Sequence, residues 1–103
     1  LVRKNETQRE AEIVVDSDIE LISDEKAVIA LFKNYLVRNK SVTLDLKDVK
    51  SVNTVFMFSI VAYYMTFCRE DLQFTIRGIS PELHRQFVAA NLEKILPIPV
   101  PIT

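Results

Sequence analysis

Residues 41–80, SVTLDLKDVKSVNTVFMFSIVAYYMTFCREDLQFTIRGIS, decide the architecture. At the front of this stretch Val42, Leu44 and Leu46 alternate with Thr43, Asp45 and Lys47. At its back Leu72, Phe74 and Ile76 alternate with Gln73, Thr75 and Arg77. Period-two alternation is the mark of a strand with one buried face. Between Lys50 and Arg69 no charged residue occurs, and the run 55–68 (VFMFSIVAYYMTFC) is almost wholly apolar. Its length and its place after a strand predict a helix, with Asn53 or Thr54 as the capping residue. Its β-branched and aromatic content leaves a strand open on pattern alone. Ser59 and Thr66 interrupt it, with Asn53 and Thr54 just ahead, so it falls short of the about 20 apolar residues a membrane span needs, and no direct membrane insertion is expected.

Upstream, residues 12–21 alternate as well, with Ile13, Val15, Ile19 and Leu21 on one side and Glu12, Asp16, Asp18 and Glu20 on the other. The turn-prone Asp16-Ser17-Asp18 step divides this span into two short strands or one bent strand. Ser23 is placed to cap a helix over roughly residues 24–38, with Asp24 and Glu25 in its first turn and Val28, Leu31, Phe32, Tyr35 and Leu36 on its apolar face. Downstream, Ser80-Pro81-Glu82 combines a capping hydroxyl, a proline at the first helical position and an anion, which is a strong helix opening. Leu83, Phe87 and Ala90 form the inward face of that helix, and Asn91 suits the left-handed position that ends one. Prolines 97, 99 and 101 stop regular structure beyond it. The expected organisation is a polar, flexible tail over 1–10, one domain over 11–98 and an extended tail over 99–103. The expected fold class is α/β, with a mixed four- to five-stranded sheet, helices mainly on one face, and the order β-β-α-β-α-β-α.

Composition narrows the chemistry. The 103 residues carry 13 basic and 14 acidic side chains, one cysteine, one histidine and one glycine. A net charge of −1 offers no broad attraction to nucleic acid, and Lys47, Lys50, Arg69 and Arg77 form no basic stripe. A single cysteine removes any disulfide framework or cysteine-based zinc site, and one histidine leaves no second imidazole for a metal or a relay. With Gly78 alone, no glycine-rich phosphate loop can be built. No nucleophile–base pair, metal set or cofactor loop is present in the pattern, so an enzyme is not expected, and neither a metal nor a cofactor is. Cys68 reads as a small core residue and His84 as solvent-facing. Asp45, Asp48 and Glu70 read as solvated carboxylates.

The runs SVTLDLKDVKSVNTVFMFSIVAYY and LQFTIRGISPELHRQFVAANLEKILPI carry a resemblance over residues 12–98. Their order is similar to that of the STAS domain family, named for sulfate transporters and anti-sigma factor antagonists. The family pattern runs from a strand ending in an LDL step to an Asp-Ser-Ser-Gly turn that opens a helix. A further strand and a Ser-Pro-Glu-Leu helix follow. Here that turn reads Asn53-Thr54-Val55-Phe56. The position of the family's phosphoacceptor serine holds Val55, which has no hydroxyl, so the standard phosphorylation switch is expected to be lost. Thr54 keeps a hydroxyl one position earlier and is the one candidate phosphosite, although a capping role accounts for it without phosphate.

On a helical wheel Met57, Ile60, Val61, Tyr64 and Cys68 are expected to face the sheet, leaving Val55, Phe56, Ser59, Ala62, Tyr63 and Thr66 outward. A helix apolar all round needs cover on both sides, and exposed apolar patches often mark interaction sites. The resemblance places a partner surface at this same turn and helix start. The expected partner-binding residues are therefore Asn53, Thr54, Val55, Phe56, Ser59 and Tyr63. The resemblance implies a cytoplasmic, bacterial, anti-sigma factor antagonist-like regulator that binds a protein partner. The alternative is a STAS-type cytoplasmic subunit or domain of a lipid or anion transport system. A homodimer through the 55–66 helix is a further option.

Overall fold

The computed structural model describes residues 2–20 and 22–101. Four strands and three helices follow in the order β1 (Val2–Glu6), β2 (Glu10–Val15), α1 (Ile22–Val37), β3 (Ser41–Leu46), α2 (Thr54–Arg69), β4 (Phe74–Ile79) and α3 (Pro81–Ala89). A short 3-10 turn over Leu92–Lys94 closes the ordered elements. The sheet order is β1-β2-β3-β4, with β1 antiparallel to β2 and the other two pairings parallel. This is the expected α/β class, with four strands in a mixed sheet.

The first strand is not where the sequence pattern puts it. Residues 1–10 were expected to form a flexible polar tail, yet Val2–Glu6 pairs with β2 from Val2 opposite Val15 to Glu6 opposite Ala11. An edge strand needs little apolar content because backbone bonds and one half-buried residue hold it, and its charges blunt the free edge. Glu6 adds an ion pair at 3.1 Å with Arg38, beyond the end of α1. The divided strand over 12–21 resolves into β2 plus a single bridge between Ile19 and Val52. Leu21 lies outside the described residues. Ser23 is not a cap, because α1 already begins at Ile22.

Parallel β2, β3 and β4 advance across the sheet in one direction, so crossovers of the usual hand put α1 and α2 on the same face. The packing agrees. Phe32 of α1 meets Phe74 of β4 edge-on at 5.1 Å between centroids and Tyr63 of α2 at 5.4 Å, and Phe67 of α2 meets Phe74 at 5.3 Å. The core between sheet and helices holds Ile13, Val15, Leu44, Leu46, Ile76 and Ile79 from the strands, and Val28, Phe32, Tyr35, Phe56 and Ile60 from α1 and α2.

Local chemistry sets the helix starts. Asn53 caps α2, its Oδ1 accepting from the Phe56 N–H at 2.8 Å. Ser80 caps α3 by accepting from the Leu83 N–H at 3.1 Å, and its hydroxyl donates to the Val49 carbonyl at 2.6 Å. Asn91 takes the left-handed conformation after α3, with φ of 60°. Among the described residues no helix is long and apolar enough to cross a membrane.

Candidate functional site

The chain from Val49 to Asn53 connects β3 to α2, and it is held from several sides. Asp18 Oδ1 accepts from the backbone N–H groups of Lys50 at 2.8 Å and Ser51 at 3.3 Å. The Ile19 N–H donates to the Ser51 carbonyl, and the Asn53 N–H donates to the Ile19 carbonyl at 2.7 Å. Gln86 of α3 clamps Val52 through both backbone groups, donating to its carbonyl at 2.7 Å and accepting from its N–H at 3.3 Å. Val49 and Val52 are buried beneath. The side-chain amide of Asn53 donates to Oε1 of the buried Glu25 at 3.2 Å, tying the start of α2 to the first turns of α1. Few backbone groups in this connection are left to bend, so α2 enters at a fixed angle and rotation.

That rotation overturns part of the wheel. Phe56, expected outward, is fully buried in the core together with Met57, Ile60, Val61 and Phe67. Tyr63, also expected outward, is half-buried against Phe32, and burial pushes its hydroxyl pKa up. Cys68, expected in the core, is exposed. The inward arc is centred on Ile60 and Phe67 rather than on Met57 and Tyr64. A helix that is apolar on every side carries no amphipathic signal to fix its phase.

The outward arc is formed by Val55, Phe58, Ala62 and Met65. Val55 is 66% exposed, Phe58 51% and Met65 53%. Thr54 and Ala62 are exposed as well, while Asn53, Ser59 and Thr66 are half-buried. Ser59 and Thr66 turn their hydroxyls onto the Val55 and Ala62 carbonyls, both at 2.9 Å, and so show mainly methyl or methylene surface. Of the expected partner-binding residues, the structure leaves Thr54 and Val55 exposed and Asn53 and Ser59 at the rim, and removes Phe56. Phe58 and Met65 are the accessible residues that the wheel missed. Because Asn53 supplies the cap, the Thr54 hydroxyl stands outside it at the exposed first position of α2.

A second cluster lies on the sheet face away from α1 and α2. Arg77 donates to Glu12 through Nη1 and to Asp45 through Nη2, the latter at 2.8 Å. Lys47 meets Asp45 twice, its backbone N–H at 3.0 Å and its ammonium at 3.3 Å. Asp45 was expected to be solvated, but its side chain is only 3% exposed. Burial pushes its carboxyl pKa up, and the bonds from Arg77 and Lys47 outweigh this and hold it below the ordinary carboxylate range. Arg77 is the extra residue of a bulge opposite Leu44 and Asp45, which lets one guanidinium reach both β2 and β3. A shallow hollow of about 230 Å³ opens beside it, lined by Asn5, Glu12, Thr43 and Arg77 among others. Every carboxylate in the cluster faces a cation, and the Asp45 carboxyl is held ionised. The arrangement is therefore a clamp across three strands. Among the described residues no set of His, Cys, Asp and Glu is placed to hold a metal. His84, expected to face solvent, is half-buried on α3.

No protein-family model matches the sequence, and no curated protein matches it.

Proposed function

We propose that this chain is a non-enzymatic regulatory domain, STAS-like and anti-sigma factor antagonist-like, which acts in the cytoplasm by docking a protein partner. The docking surface comprises Thr54 and Val55 at the start of α2 and the stripe that continues through Phe58, Ala62 and Met65, rimmed by Asn53 and Ser59. One observation carries the reading: an uncharged, apolar stripe stands exposed on a helix whose entry is held by at least six hydrogen bonds from α1, α3 and the chain before α1. A preset surface of this kind loses little entropy on binding. The order of the LDL strand, the Asn53 turn and the Ser-Pro-Glu-Leu helix supports the family likeness.

Val55 occupies the position of the family's phosphoacceptor and is among the most exposed residues of α2. A surface that is apolar there at all times favours a second reading, a constitutive subunit of a lipid or anion transport system. Capture from extracts of the source cells, with the immobilised chain as bait, tests both. The wild type is expected to retain a partner that Val55→Asp/Phe58→Asp loses and Val37→Asp, exposed on α1, keeps. An ATP-binding, kinase-like protein would support the regulatory reading, and a transport ATPase or permease the second. Undiminished capture by the double variant would remove the site.

A further inference from the structure

The exposed positions 55, 58, 62 and 65 follow spacings of three, four and three, which is the a/d seam of a coiled coil rather than the broad face of a helix on a core. At 100° per residue they fall within about 80° of arc, diametrically opposite Ile60 and Phe67. The seam has a second property, which appears when it is laid antiparallel against itself. Reversal about the midpoint between Phe58 and Ala62 sets Phe58 opposite Ala62 and Val55 opposite Met65. Each large side chain then meets a smaller one, as interdigitating layers require. A parallel arrangement would set Phe58 on Phe58 and leave Ala62 facing Ala62 across a gap.

We infer that a second copy of this chain occupies the α2 seam, in an antiparallel, two-fold pairing that packs Phe58 of each copy into the space above Ala62 of the other. This deepens the docking reading, since it uses the same face, and it makes self-pairing and partner binding mutually exclusive. The flanks of the seam fit a copy. Thr54, Ser59, Thr66 and Cys68 carry no charge, so identical helices meet without like-charge opposition. Arg69, at the next seam position, is drawn back along its own helix by a bond to Thr66 at 3.2 Å. Antiparallel α2 helices also oppose their dipoles favourably. A C2 interface must be self-complementary, and this one is so in size, with no charge to oppose it. Four seam residues from each copy cover less than the about 1,200 Å² at the lower end of stable interfaces, so the pair is weak and depends on concentration.

Sedimentation equilibrium from micromolar to millimolar chain is the test. The apparent mass is expected to rise from 11.9 kDa towards twice that value, with little dependence on salt. Ala62→Phe alone and Phe58→Ala alone are each expected to weaken association by tenfold or so, about 1.4 kcal/mol. The swap Phe58→Ala/Ala62→Phe restores it, because the large residue again meets the small one. Register is read by cysteines in a Cys68→Ser background. Val55→Cys mixed with Met65→Cys should form the 55–65 disulfide in preference to 55–55 and 65–65. A wild type that stays at 11.9 kDa throughout, or like-to-like disulfides, would overturn the pairing. Either result leaves partner capture, measured separately, free to stand or fall.

Discussion

Gly78 is the only glycine in the chain, and its neighbours explain it. A Cβ there would lie 3.1 Å from Asp45 Oδ1 and 3.3 Å from Lys47 Cβ. Asp45 cannot yield, because Arg77 and Lys47 hold it. Gly78→Ala is therefore expected to lower stability by about 1 kcal/mol in urea unfolding, and by less in an Asp45→Ala background, where the crowded oxygen is gone. The same carboxylate confers acid sensitivity. Its pKa is depressed on folding, so its contribution is complete above the unfolded value near 3.8 and is lost as pH falls through the folded value. Melting temperature should fall less steeply below about pH 4 in Asp45→Asn than in the wild type, although the variant starts lower at neutral pH. Asn53 makes a related point. It accepts from Phe56 and donates to Glu25, and a carboxylate at this position could accept but not donate. Asn53→Asp keeps the cap but sets a second carboxylate, half-buried, against the buried Glu25. Its stability is expected to drop by about 1–3 kcal/mol at pH 7 and to recover partly on acidification, measured by chemical denaturation.

At the scale of elements, the three helices were legible to different degrees. Ser80-Pro81-Glu82 announced α3 because capping chemistry is local, and the observed bonds at Ser80 follow from it. Ser80→Ala removes both the Leu83 and the Val49 bond and should lower stability by about 2 kcal/mol, read by thermal or urea unfolding. α2 was legible as an element but not in rotation. Phe56 and Phe58 are alike in apolarity, and nothing in their neighbours says which one enters the core. The bonds from Asp18, Glu25 and Gln86 to the residues before α2 settle it, and those partners lie 28 to 34 positions away in sequence. β1 was missed for the opposite reason. VRKNE has almost no apolar pattern, and its pairing is made by backbone groups that every sequence possesses.

The molecule as a whole is one-sided. α1 and α2 share one face of the sheet, and the other shows the Glu12–Arg77–Asp45–Lys47 cluster to solvent. Parallel strands are usually covered on both faces, so an ionic clamp across β2, β3 and β4 takes over part of what a second helical layer would do. Edge protection is similarly distributed, with the charged β1 closing the β2 side. Deletion of residues 2–8 is expected to leave a folded core but to raise hydrogen exchange at the β2 amides bonded to β1 by more than tenfold, while β3 and β4 amides change less. Equal loss of protection across all strands would instead mark β1 as part of a single cooperative unit with the core.

Short-range patterns in the residues alone determined the α/β class, the positions of β3 and β4 to within two residues, a cap at Asn53 or Thr54 and one at Ser80, and the left-handed turn at Asn91. Each of these depends on groups a few positions apart. Only the tertiary structure decided which side of α2 is buried, that Asp45 is enclosed between two cations, and that Val2–Glu6 is a strand. Those three facts depend on partners brought together by folding, and no local period encodes the identity of a distant neighbour.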